Sequence, residues 1–489
     1  MLRAERDLAE LEALVGELPK RLPALAGLFD GAAEVVLTRA PGRLDVMGGI
    51  ADYSGSLALE LPLAEAACVA AARTDDGWLR VVSLGNAAGH APRELCFAAG
   101  PFWEACQSLH SLREYFAREP ADRRWAAYVL GGLPLLARRG AQLSAGLRLL
   151  IDSAVPEGRG VGSSAALEVA SLSALAALWH VPLSGAELGL SCQLVENQVV
   201  GAPCGAMDQL TSACAEPGQL LALLCQPAQI EGCLAFPEGI SVFGVDSGQS
   251  HAVAGTDYGL VRAAAFMGLR ILSERLGARV RLIEPGRVVL EDDPLAGYLA
   301  RVAPDELGPE LREALPEVIS GAEFLARFGG ITDEPTTVRP AARYLVRAAT
   351  LHPIHEHARA RSFAQLLPGA TEPDELGQLG ALMFAAHAGY SACGLGSDGT
   401  DQLVESVRAL GQKAGLFGAK ISGAGSGGTV VILARTEQLP LVETLSRDYS
   451  RKTRRSSRVF SGSSPGASAL PARRLPLRAG APPNGAQQC

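Results

Sequence analysis

The sequence predicts an α+β fold in two domains, and three observations support this prediction. The chain has 489 residues, more than the roughly 100–200 residues of an ordinary domain. Segments of strand and of helix character are mixed without the regular βαβ alternation of a doubly wound sheet. The composition changes near residues 227–239, where proline and glycine interrupt the apolar pattern. With 48% hydrophobic and 20% charged residues, the chain has the balance of a globular protein.

In the first half, apolar periodicity and short apolar runs indicate the elements in order. Over residues 1–30, leucine and alanine alternate with charged residues at helical spacing, which predicts an amphipathic helix broken near Pro19. We then expect strands at 34–40, 57–75, 77–85 and 146–152, a helical region at 104–140 with a break near 119–120, helices at 163–179 and 188–201, and a turn followed by a strand at 210–225.

The second half begins with a predicted strand at 240–248. We then expect helices at 257–278 and 370–415, a loop and strand at 418–435, a helix at 440–448, and a short strand and turn at 456–467. Residues 279–340 are acidic and contain prolines, and their pattern indicates no role.

These elements group into four segments along the chain. We expect an N-terminal helical extension at 1–33, a first domain at 34–236, a second domain at 237–468 and a disordered tail at 469–489. The tail is rich in proline, arginine, glycine and alanine, a composition that does not build a packed core.

The overall charge and the cysteine spacing exclude several classes of protein. A net charge of −8 gives no general basic character, so we expect neither a nucleic-acid partner nor a membrane partner. No run of 18 apolar residues occurs, and the N-terminus lacks a signal-peptide core. The 10 cysteines include no CxxC pair and no Cys/His cluster with zinc spacing. We therefore expect a cytoplasmic protein with buried, reduced thiols.

Glycine is the unusual component, with 55 residues, against an average of roughly 7% in proteins. The first of three glycine-rich segments covers residues 39–55, RAPGRLDVMGGIADYSG. Glycine permits positive φ and close approach of backbone to a ligand. A structural turn explains these glycines, whereas the spacing of Arg43 and Asp52 indicates a polar ligand site, and both interpretations stay open.

The second glycine-rich segment, VPEGRGVGSSAALE at residues 155–168, runs directly into a long apolar helix. Free backbone N–H groups and the positive end of a helix dipole favour an anion there. The three glycines before Ser163 and Ser164 favour a phosphate, and an ordinary N-cap with a flexible entry loop is the alternative. The segment is not a Walker A loop, because no GxxxxGK[ST] pattern occurs.

The third glycine-rich segment, SGAGSGGT at residues 422–429, precedes an apolar strand. A tight β-turn explains this string as well as a ligand loop does.

An acidic segment at residues 196–209, ENQVVGAPCGAMDQ, lies between the second and third glycine-rich segments. Phosphoryl transfer needs one carboxylate for Mg²⁺ and another for a substrate hydroxyl, which Glu196 and Asp208 would supply. Solvated surface carboxylates are the alternative interpretation.

The four segments in this order resemble the three motifs and the acidic segment of the GHMP small-molecule kinases. Within that superfamily the chain is similar to galactokinases, and more closely to the kinase domains of L-arabinokinases. The closer resemblance is carried by GRLDVMGGIADYSGSL, VENQVVGAPCGAMDQLTSA, YSACGLGSDGTDQLV and SGSSPGA, and the similarity covers roughly residues 36–467. Plant L-arabinokinases have an additional N-terminal region, and we expect this chain not to depend on it.

The resemblance implies a two-domain GHMP kinase fold with the active site in the interdomain cleft, ATP and Mg²⁺ as cofactors, and a sugar as the acceptor. It implies that Asp208 takes or orients the anomeric hydroxyl proton and that Arg43 keeps Asp208 ionised. The further implied roles are ATP binding by Gly158, Gly160, Gly162, Ser163, Ser164 and Ala165; Mg²⁺ binding by Ser164 and Glu196; sugar binding by Arg43, Gly49, Ile50, Asp52, Gly205, Asp208 and Tyr258; packing of the third motif by Gly423, Gly425 and Gly427; and a nucleotide-side segment with Trp125 and Tyr128.

One departure from the galactokinase pattern bears on the sugar. Galactokinases have Glu-His in GEHTDY, where this chain has Gly49 and Ile50 in GGIADY. In that family the glutamate contacts the C6 hydroxyl of galactose, and L-arabinose has the same ring stereochemistry without C6. A buried hydroxyl without a partner costs about 1–3 kcal/mol. The resemblance therefore implies an L-arabinose 1-kinase.

Two alternatives remain at this point. The first is a galactokinase that forms galactose 1-phosphate. The second is a sugar sensor without activity, as in galactokinase relatives whose Ser-rich loop has changed; here Ser163, Ser164, Glu196 and Asp208 are all present. The sequence does not determine the oligomeric state.

Overall fold

The computed structural model describes residues 2–85, 92–249 and 256–477. The first half contains α1 (Leu2–Gly16), α2 (Leu18–Arg21), β1 (Glu34–Met47), β2 (Leu57–Thr74), β3 (Trp78–Ser83), β4 (Arg93–Ala98), α3 (Ala99–Ala105), α4 (Leu109–Arg118), α5 (Ala126–Leu130), α6 (Leu133–Arg138), β5 (Gly146–Ser153), α7 (Ser163–Leu178), α8 (Gly185–Val195), α9 (Met207–Cys214), β6 (Gln219–Leu224) and β7 (Gln229–Ala235).

The second half begins with a strand and then becomes largely helical. It contains β8 (Ile240–Asp246), α10 (Thr256–Arg275), β9 (Arg279–Glu284), β10 (Gly286–Glu291), α11 (Pro309–Ala314), β11 (Ile319–Ser320), α12 (Gly321–Phe328), β12 (Gly330–Ile331), β13 (Arg343–Tyr344), α13 (Val346–Leu366), α14 (Pro373–Ala392), α15 (Asp398–Leu410), β14 (Leu416–Ile421), β15 (Thr429–Arg435), α16 (Leu439–Thr453), β16 (Val459–Phe460) and β17 (Arg473–Pro476).

The larger sheet is built around the long strands β1 and β2. Its strand order is β17-β1-β2-β5-β3-β4, and β6 joins β2 to β7. Alternate residues of β2 point to opposite faces, as the pleat requires. Val69 packs in the main core with α7, whereas Ala70 packs in a separate cluster with Leu8 and Leu11 of α1. Both faces of the larger sheet are therefore buried, one by α7 and the other by the N-terminal helix α1.

The smaller sheet has the antiparallel order β14-β15-β8-β16. The main core contains residues of both halves, including Val36 of β1 and Val431 of β15. The two halves of the chain therefore share one apolar core. The second and third glycine-rich segments, one from each half, contact each other.

The predicted α+β architecture is confirmed, and most predicted elements lie where they were expected. The region 210–225 is different, because the helix α9 precedes its strand. The helix α13 was not predicted, since Pro353 and several polar residues interrupt its apolar pattern.

The predicted disordered tail over 469–489 is wrong at its start. Residues Arg473–Pro476 form β17, which pairs with β1 from Glu34 to Leu37. The backbone hydrogen bonds of a sheet edge order this short segment although it has little apolar surface to bury. The rest of the predicted tail beyond residue 477 lies outside the described residues, and the domain boundaries at 33 and 236 remain predictions.

The cysteines differ in two respects from the sequence expectation. Five are buried free thiols, namely Cys68, Cys106, Cys192, Cys225 and Cys393, but the free thiols Cys204, Cys214 and Cys233 are only half-buried. Cys96, on the half-buried strand β4, is disulfide-bonded. None of the helices in the described ranges combines the length and the apolar character that a membrane span requires.

Candidate active site

Arg43 and Asp208 form the centre of the site, although 165 residues separate them in the sequence. Arg43 lies on β1 where the register with β2 shifts, and Asp208 lies in the first turn of α9. Arg43 donates from Nε to Asp208 Oδ1 at 2.9 Å and from Nη2 to Asp208 Oδ2 at 2.6 Å. This two-point contact fixes the plane and the orientation of the carboxylate.

The electrostatic surroundings keep Arg43 charged. Burial by itself lowers the pKa of Arg43, but the carboxylates of Asp208, Glu60 and Asp45 outweigh burial and raise it. Glu60 is fully buried and lies 3.4 Å from Arg43 Nε. The side chain of Asp208 is 22% exposed, so this carboxylate is open to the cleft while its partner is buried.

The second glycine-rich segment forms a loop that enters α7. Gly158, Gly160 and Gly162 have φ values of +68°, +68° and +72°, which glycine adopts without steric cost. Gly162 is the N-cap residue of α7, and Ser163 and Ser164 in the first helical turn line the cavity beside the loop. A helix N-terminus with open N–H groups binds anions. Ala165 is buried in the helix and lines none of the cavities described below.

Arg43 also connects this loop to the central carboxylate. Its Nη1 donates to the carbonyl oxygen of Gly160 at 2.6 Å. One guanidinium therefore holds Asp208 and the glycine loop at once.

Glu196 lies at the end of α8, in a π-helical turn over Glu196–Val200. Burial, and after it the Asp208 carboxylate, raises the pKa of Glu196 to about 7, while a hydrogen bond from Ser164 lowers it. Gln209 Nε2 donates to Glu196 Oε2 at 2.5 Å. Burial and the neighbouring Glu196 also raise the pKa of Glu168 well above its usual range.

Four of the predicted sugar-binding residues, Ile50, Asp52, Gly205 and Tyr258, line one cavity together with Asp208. Burial, and then the Asp208 carboxylate, raises the pKa of Asp52 to about 6. Gly205 lies directly against this carboxyl group. The Tyr258 ring packs edge-on against Tyr53 with centroids 5.8 Å apart, and Tyr258 and Ile50 line the same cavity.

Two adjoining cavities meet at the Arg43–Asp208 pair. The glycine-loop cavity has a volume of about 310 Å³ and is lined by Gly158, Gly160, Gly162, Ser163, Ser164, Asp257 and Gly425, among others. The carboxylate cavity has a volume of about 460 Å³ and is lined by Ile50, Asp52, Glu196, Gly205, Met207 and Gly423, among others. Arg43, Ser164, Asp208 and Tyr258 line both. Two ligands placed in these cavities would meet at Asp208.

A third cavity of about 210 Å³ adjoins the glycine loop. Trp125, Tyr128 and Ser163 line it. The segment expected on the nucleotide side therefore lies next to the N-terminus of α7.

The third glycine-rich segment packs against the glycine loop. Ser422 Oγ donates to the carbonyl of Gly160 at 3.2 Å, and Thr429 Oγ1 donates to the carbonyl of Arg159 at 2.8 Å. A Cβ added to Gly423 would lie 2.8 Å from Gly160 O and 3.2 Å from Arg43 Nη2. Gly425 lines the glycine-loop cavity, whereas Gly427 faces Gln249 instead.

Gly49 lies outside both cavities. A Cβ at this position would overlap the Asp45 carboxylate and the Tyr390 hydroxyl, so Gly49 faces the interior and only its neighbour Ile50 reaches the carboxylate cavity. Ile50 has a φ of +50°, a strained conformation for a β-branched residue.

Sequence reasoning missed the buried charges behind the site. Lys420 Nζ lies 2.9 Å from Asp45 Oδ2, and both side chains are fully buried. Tyr390 donates its hydroxyl to Asp45 Oδ2 at 3.0 Å, and Gly423 N donates to the same oxygen at 3.2 Å. A lysine inside the apolar run at 416–421 is the sequence signal that would have pointed to a buried partner, because buried charges are paired.

Comparisons with known proteins are consistent with this geometry. The chain matches the models of the GHMP kinases N terminal domain over residues 127–216 and of the GHMP kinases C terminal domain over residues 374–448. It is 38% identical to the L-arabinokinase of Arabidopsis thaliana over 489 residues, which cover 91% of this chain and 47% of that protein. The chain thus spans about half the length of this relative.

A galactokinase of Chloroflexus aggregans is 34% identical to the chain over 303 residues, which cover 61% of this chain and 70% of that protein. Among solved structures, Lactococcus lactis galactokinase complexed with galactose superposes with a TM-score of 0.67 at 19% identity, covering 96% of this chain and all of that one. The mevalonate kinase of Methanococcus jannaschii superposes with a TM-score of 0.51 at 13% identity. These superpositions support the fold of the chain.

Proposed function

The chain belongs to the GHMP kinases, as its motifs predicted, and from this premise we propose that it is a sugar 1-kinase that uses ATP and Mg²⁺ to convert L-arabinose into L-arabinose 1-phosphate. The observation that carries the proposal is the Arg43–Asp208 pair at the junction of two cavities. One cavity has the features of an anion site and the other those of a polar, carboxylate-bearing site.

The triphosphate of ATP would occupy the glycine-loop cavity. The open N–H groups at the start of α7 and the positive end of its dipole favour the phosphates. The hydroxyls of Ser163 and Ser164 line this cavity. The third cavity, lined by Trp125 and Tyr128, lies next to it and would receive the rest of the nucleotide.

The donor set beside Asp208 fits Mg²⁺. Mg²⁺ in nucleotide sites is held by one or two protein oxygens, by substrate phosphates and by water. The Ser164 hydroxyl lowers the pKa of the Glu196 carboxylate, and both residues line the carboxylate cavity. When bound, Mg²⁺ would neutralise phosphate charge. Its positive charge would also lower the pKa of Glu196, so that the ionised carboxylate holds the ion.

Asp208 would act on the anomeric hydroxyl of the sugar. The carboxylate accepts the hydroxyl proton while the hydroxyl oxygen forms a bond to the γ-phosphorus and the bond to the ADP oxygen breaks. Arg43 orients Asp208 through two hydrogen bonds and places a positive charge beside the transferred group. Positioning and charge stabilisation are the main contributions that a protein makes to this reaction.

The proposal of a pentose rests on the wall that contains Ile50. Position 49 presents no side chain to the cavity, and the space beside its Cα is filled by Asp45 and Tyr390. A hydroxymethyl group on that side would meet apolar Ile50 and lose its hydrogen bonds, at a cost of about 1–3 kcal/mol. L-Arabinose, which lacks this group, loses nothing there.

Release of ADP in a coupled assay tests the proposal, with L-arabinose, D-galactose, L-fucose and no sugar as parallel samples. We expect the highest kcat/KM with L-arabinose. Higher turnover with D-galactose would replace the pentose assignment by galactokinase activity, which the similarity to the Chloroflexus aggregans enzyme supports as the second candidate. Sugar binding without any ADP release would indicate a sensor.

A further inference from the structure

A cavity of about 470 Å³ lies beside the helix α13 and shares no lining residue with the cavities of the active site. We call it the α13 cavity. Its apolar wall is formed by Val318, Leu345 and Leu351, and Arg347 and Arg359 line it as well. Its volume is in the range of small-molecule sites.

The two arginines supply cationic donors to this cavity, and the lining residue Glu317 pairs with one of them, Arg347. Arg359 donates from Nε to Glu356 at 2.7 Å, and its terminal nitrogens have no acceptor among the described residues. Arg347 donates to the Leu315 carbonyl at 3.0 Å and to Glu317 at 2.9 Å, and Glu317 is 80% exposed.

Two side chains of α13 also contact the backbone of the first glycine-rich segment. His352 Nε2 lies 3.1 Å from the carbonyl oxygen of Gly49, and Glu356 Oε1 accepts from Gly48 N at 3.0 Å. His352 is also a lining residue of the α13 cavity. Burial lowers the pKa of His352 to about 4, so its ring is neutral and donates from Nε2 to Gly49.

The backbone at Gly48 and Gly49 has little freedom to adjust by itself. Gly48 has a φ of +98°, and Gly49 is closely packed against Asp45 and Tyr390. Ile50 follows directly and lines the carboxylate cavity. A shift of His352 or Glu356 would therefore move the backbone next to Ile50, in the wall of the proposed sugar site.

We propose that the α13 cavity binds a small organic anion with an apolar body, and that its occupancy changes the affinity of the carboxylate cavity for sugar. The anionic group pairs with the free nitrogens of Arg359 and with Arg347, because guanidinium groups recognise carboxylates, sulfonates and phosphates. The apolar body packs on Leu345 and Leu351. The anion competes with Glu356 for Arg359 and so loosens the support of Gly48. The coupling to sugar rests on the proposed function, whereas the binding of the anion does not.

A fluorescence titration with 1-anilinonaphthalene-8-sulfonate tests the site in the full chain, with saturating ADP present to occupy the nucleotide site. We expect one saturable site, at least tenfold weaker binding in Arg359→Gln, and loss of the site in Ala392→Trp. Ala392 is an exposed lining residue at the end of α14, and an indole there fills the cavity. The matched control is Ala381→Trp, at an exposed position about three turns earlier on the same helix, which should leave the affinity within twofold of the unmodified protein.

Unchanged probe binding in both Ala392→Trp and Arg359→Gln would overturn the site. Thermal unfolding of each variant separates loss of the site from loss of the fold.

Reciprocity tests the coupling, because two linked ligands change each other's affinity by the same factor. Adding L-arabinose, or D-galactose in a parallel titration, should shift the probe's dissociation constant at least threefold. A sugar that binds in a direct assay without shifting the probe would overturn the coupling. A site that binds the probe while neither sugar binds would contradict the proposed function and leave the anion site in place.

Discussion

Arg43 shows how much of this site depends on a single side chain. Its guanidinium contacts Asp208 and the Gly160 carbonyl and lies 3.4 Å from Glu60. Three separate stretches of sequence are thus held by one buried cation.

Asp208→Asn should lower kcat for L-arabinose by about 10²–10⁴-fold, the contribution of a general base, while nucleotide binding stays nearly unchanged. The amide keeps the size of the side chain but accepts no proton. Coupled ADP release and a fluorescent-nucleotide titration measure the two effects. Asp305→Asn, an exposed substitution far along the chain, is the control. A variant of Asp208 with full turnover would remove this residue from the mechanism.

Asp52 should make the stability of the protein depend on pH. Burial, and then Asp208, raises the pKa of Asp52 from 3.8 to about 6, so the folded state holds the proton more tightly than the unfolded chain. The stability that this proton contributes is fully present below pH 3.8 and is lost as pH rises through about 6.

Asp52→Asn should therefore be more stable than the unmodified protein at pH 7, by about 1–3 kcal/mol, and should lose most of this advantage at pH 4. Urea unfolding at the two pH values measures the difference. Equal differences at pH 4 and pH 7 would show that Asp52 keeps an ordinary pKa. Sugar affinity should fall in the variant, since the amide replaces a carboxylate acceptor in the carboxylate cavity.

At the scale of elements, the site depends on two loops that touch through their backbones. The loop before α7 and the loop between β14 and β15 meet at Gly160 and Gly423, and Ser422 and Thr429 add side-chain hydrogen bonds. Glycine is needed at position 423 both for its φ of +73° and for its distance to Gly160.

Gly423→Ala should lower kcat at least tenfold, because the added methyl group pushes the loop away from Gly160 and Arg43. The matched control is Gly31→Ala, where φ is +79° and no atom lies within 4 Å of the added Cβ. Both variants carry a left-handed strain of about 1 kcal/mol, and only the first carries a clash. Steady-state kinetics and urea unfolding of the pair separate these effects. Equal activity in the two variants would contradict the proposed role of loop contact.

Element prediction succeeded where local patterns were strong. The glycine string followed by Ser163, Ser164 and a long apolar run predicts the loop and α7 correctly. It failed at α9 and α13, where polar residues and Pro353 weaken the apolar periodicity. These helices are stabilised by packing on neighbours, which a local pattern does not contain.

At the scale of the whole molecule, the N-terminal extension acts as a cover for the larger sheet. Leu8 and Leu11 of α1 pack with Leu37 and Ala70 on the face opposite α7. Asp7 of the same helix accepts from the buried Arg39 at 2.8 Å. The extension is thus part of the folded unit rather than an appendage.

Leu11→Ala should destabilise the protein by about 2–5 kcal/mol, the usual cost of a cavity at a buried leucine, with KM for sugar unchanged because α1 lies away from the cavities. Urea unfolding measures the loss. Leu2→Ala on the same helix is the control, since Leu2 is 90% exposed and Leu11 only 2%. A loss below 0.5 kcal/mol at Leu11 would contradict the role of α1 as a cover.

The local chemistry of the site can be predicted from short stretches of the chain: three glycine-rich loops, a Ser-Ser helix start, an arginine, and carboxylates at 52, 196 and 208. Backbone freedom and helix capping are local properties, so a short string of residues expresses them. Which of these groups lie in contact depends on the three-dimensional fold. Asp208 reaches Arg43 across 165 residues, and Lys420 reaches Asp45 across 375. Such contacts depend on sheet register and on burial of charge by the whole core, which no local segment specifies.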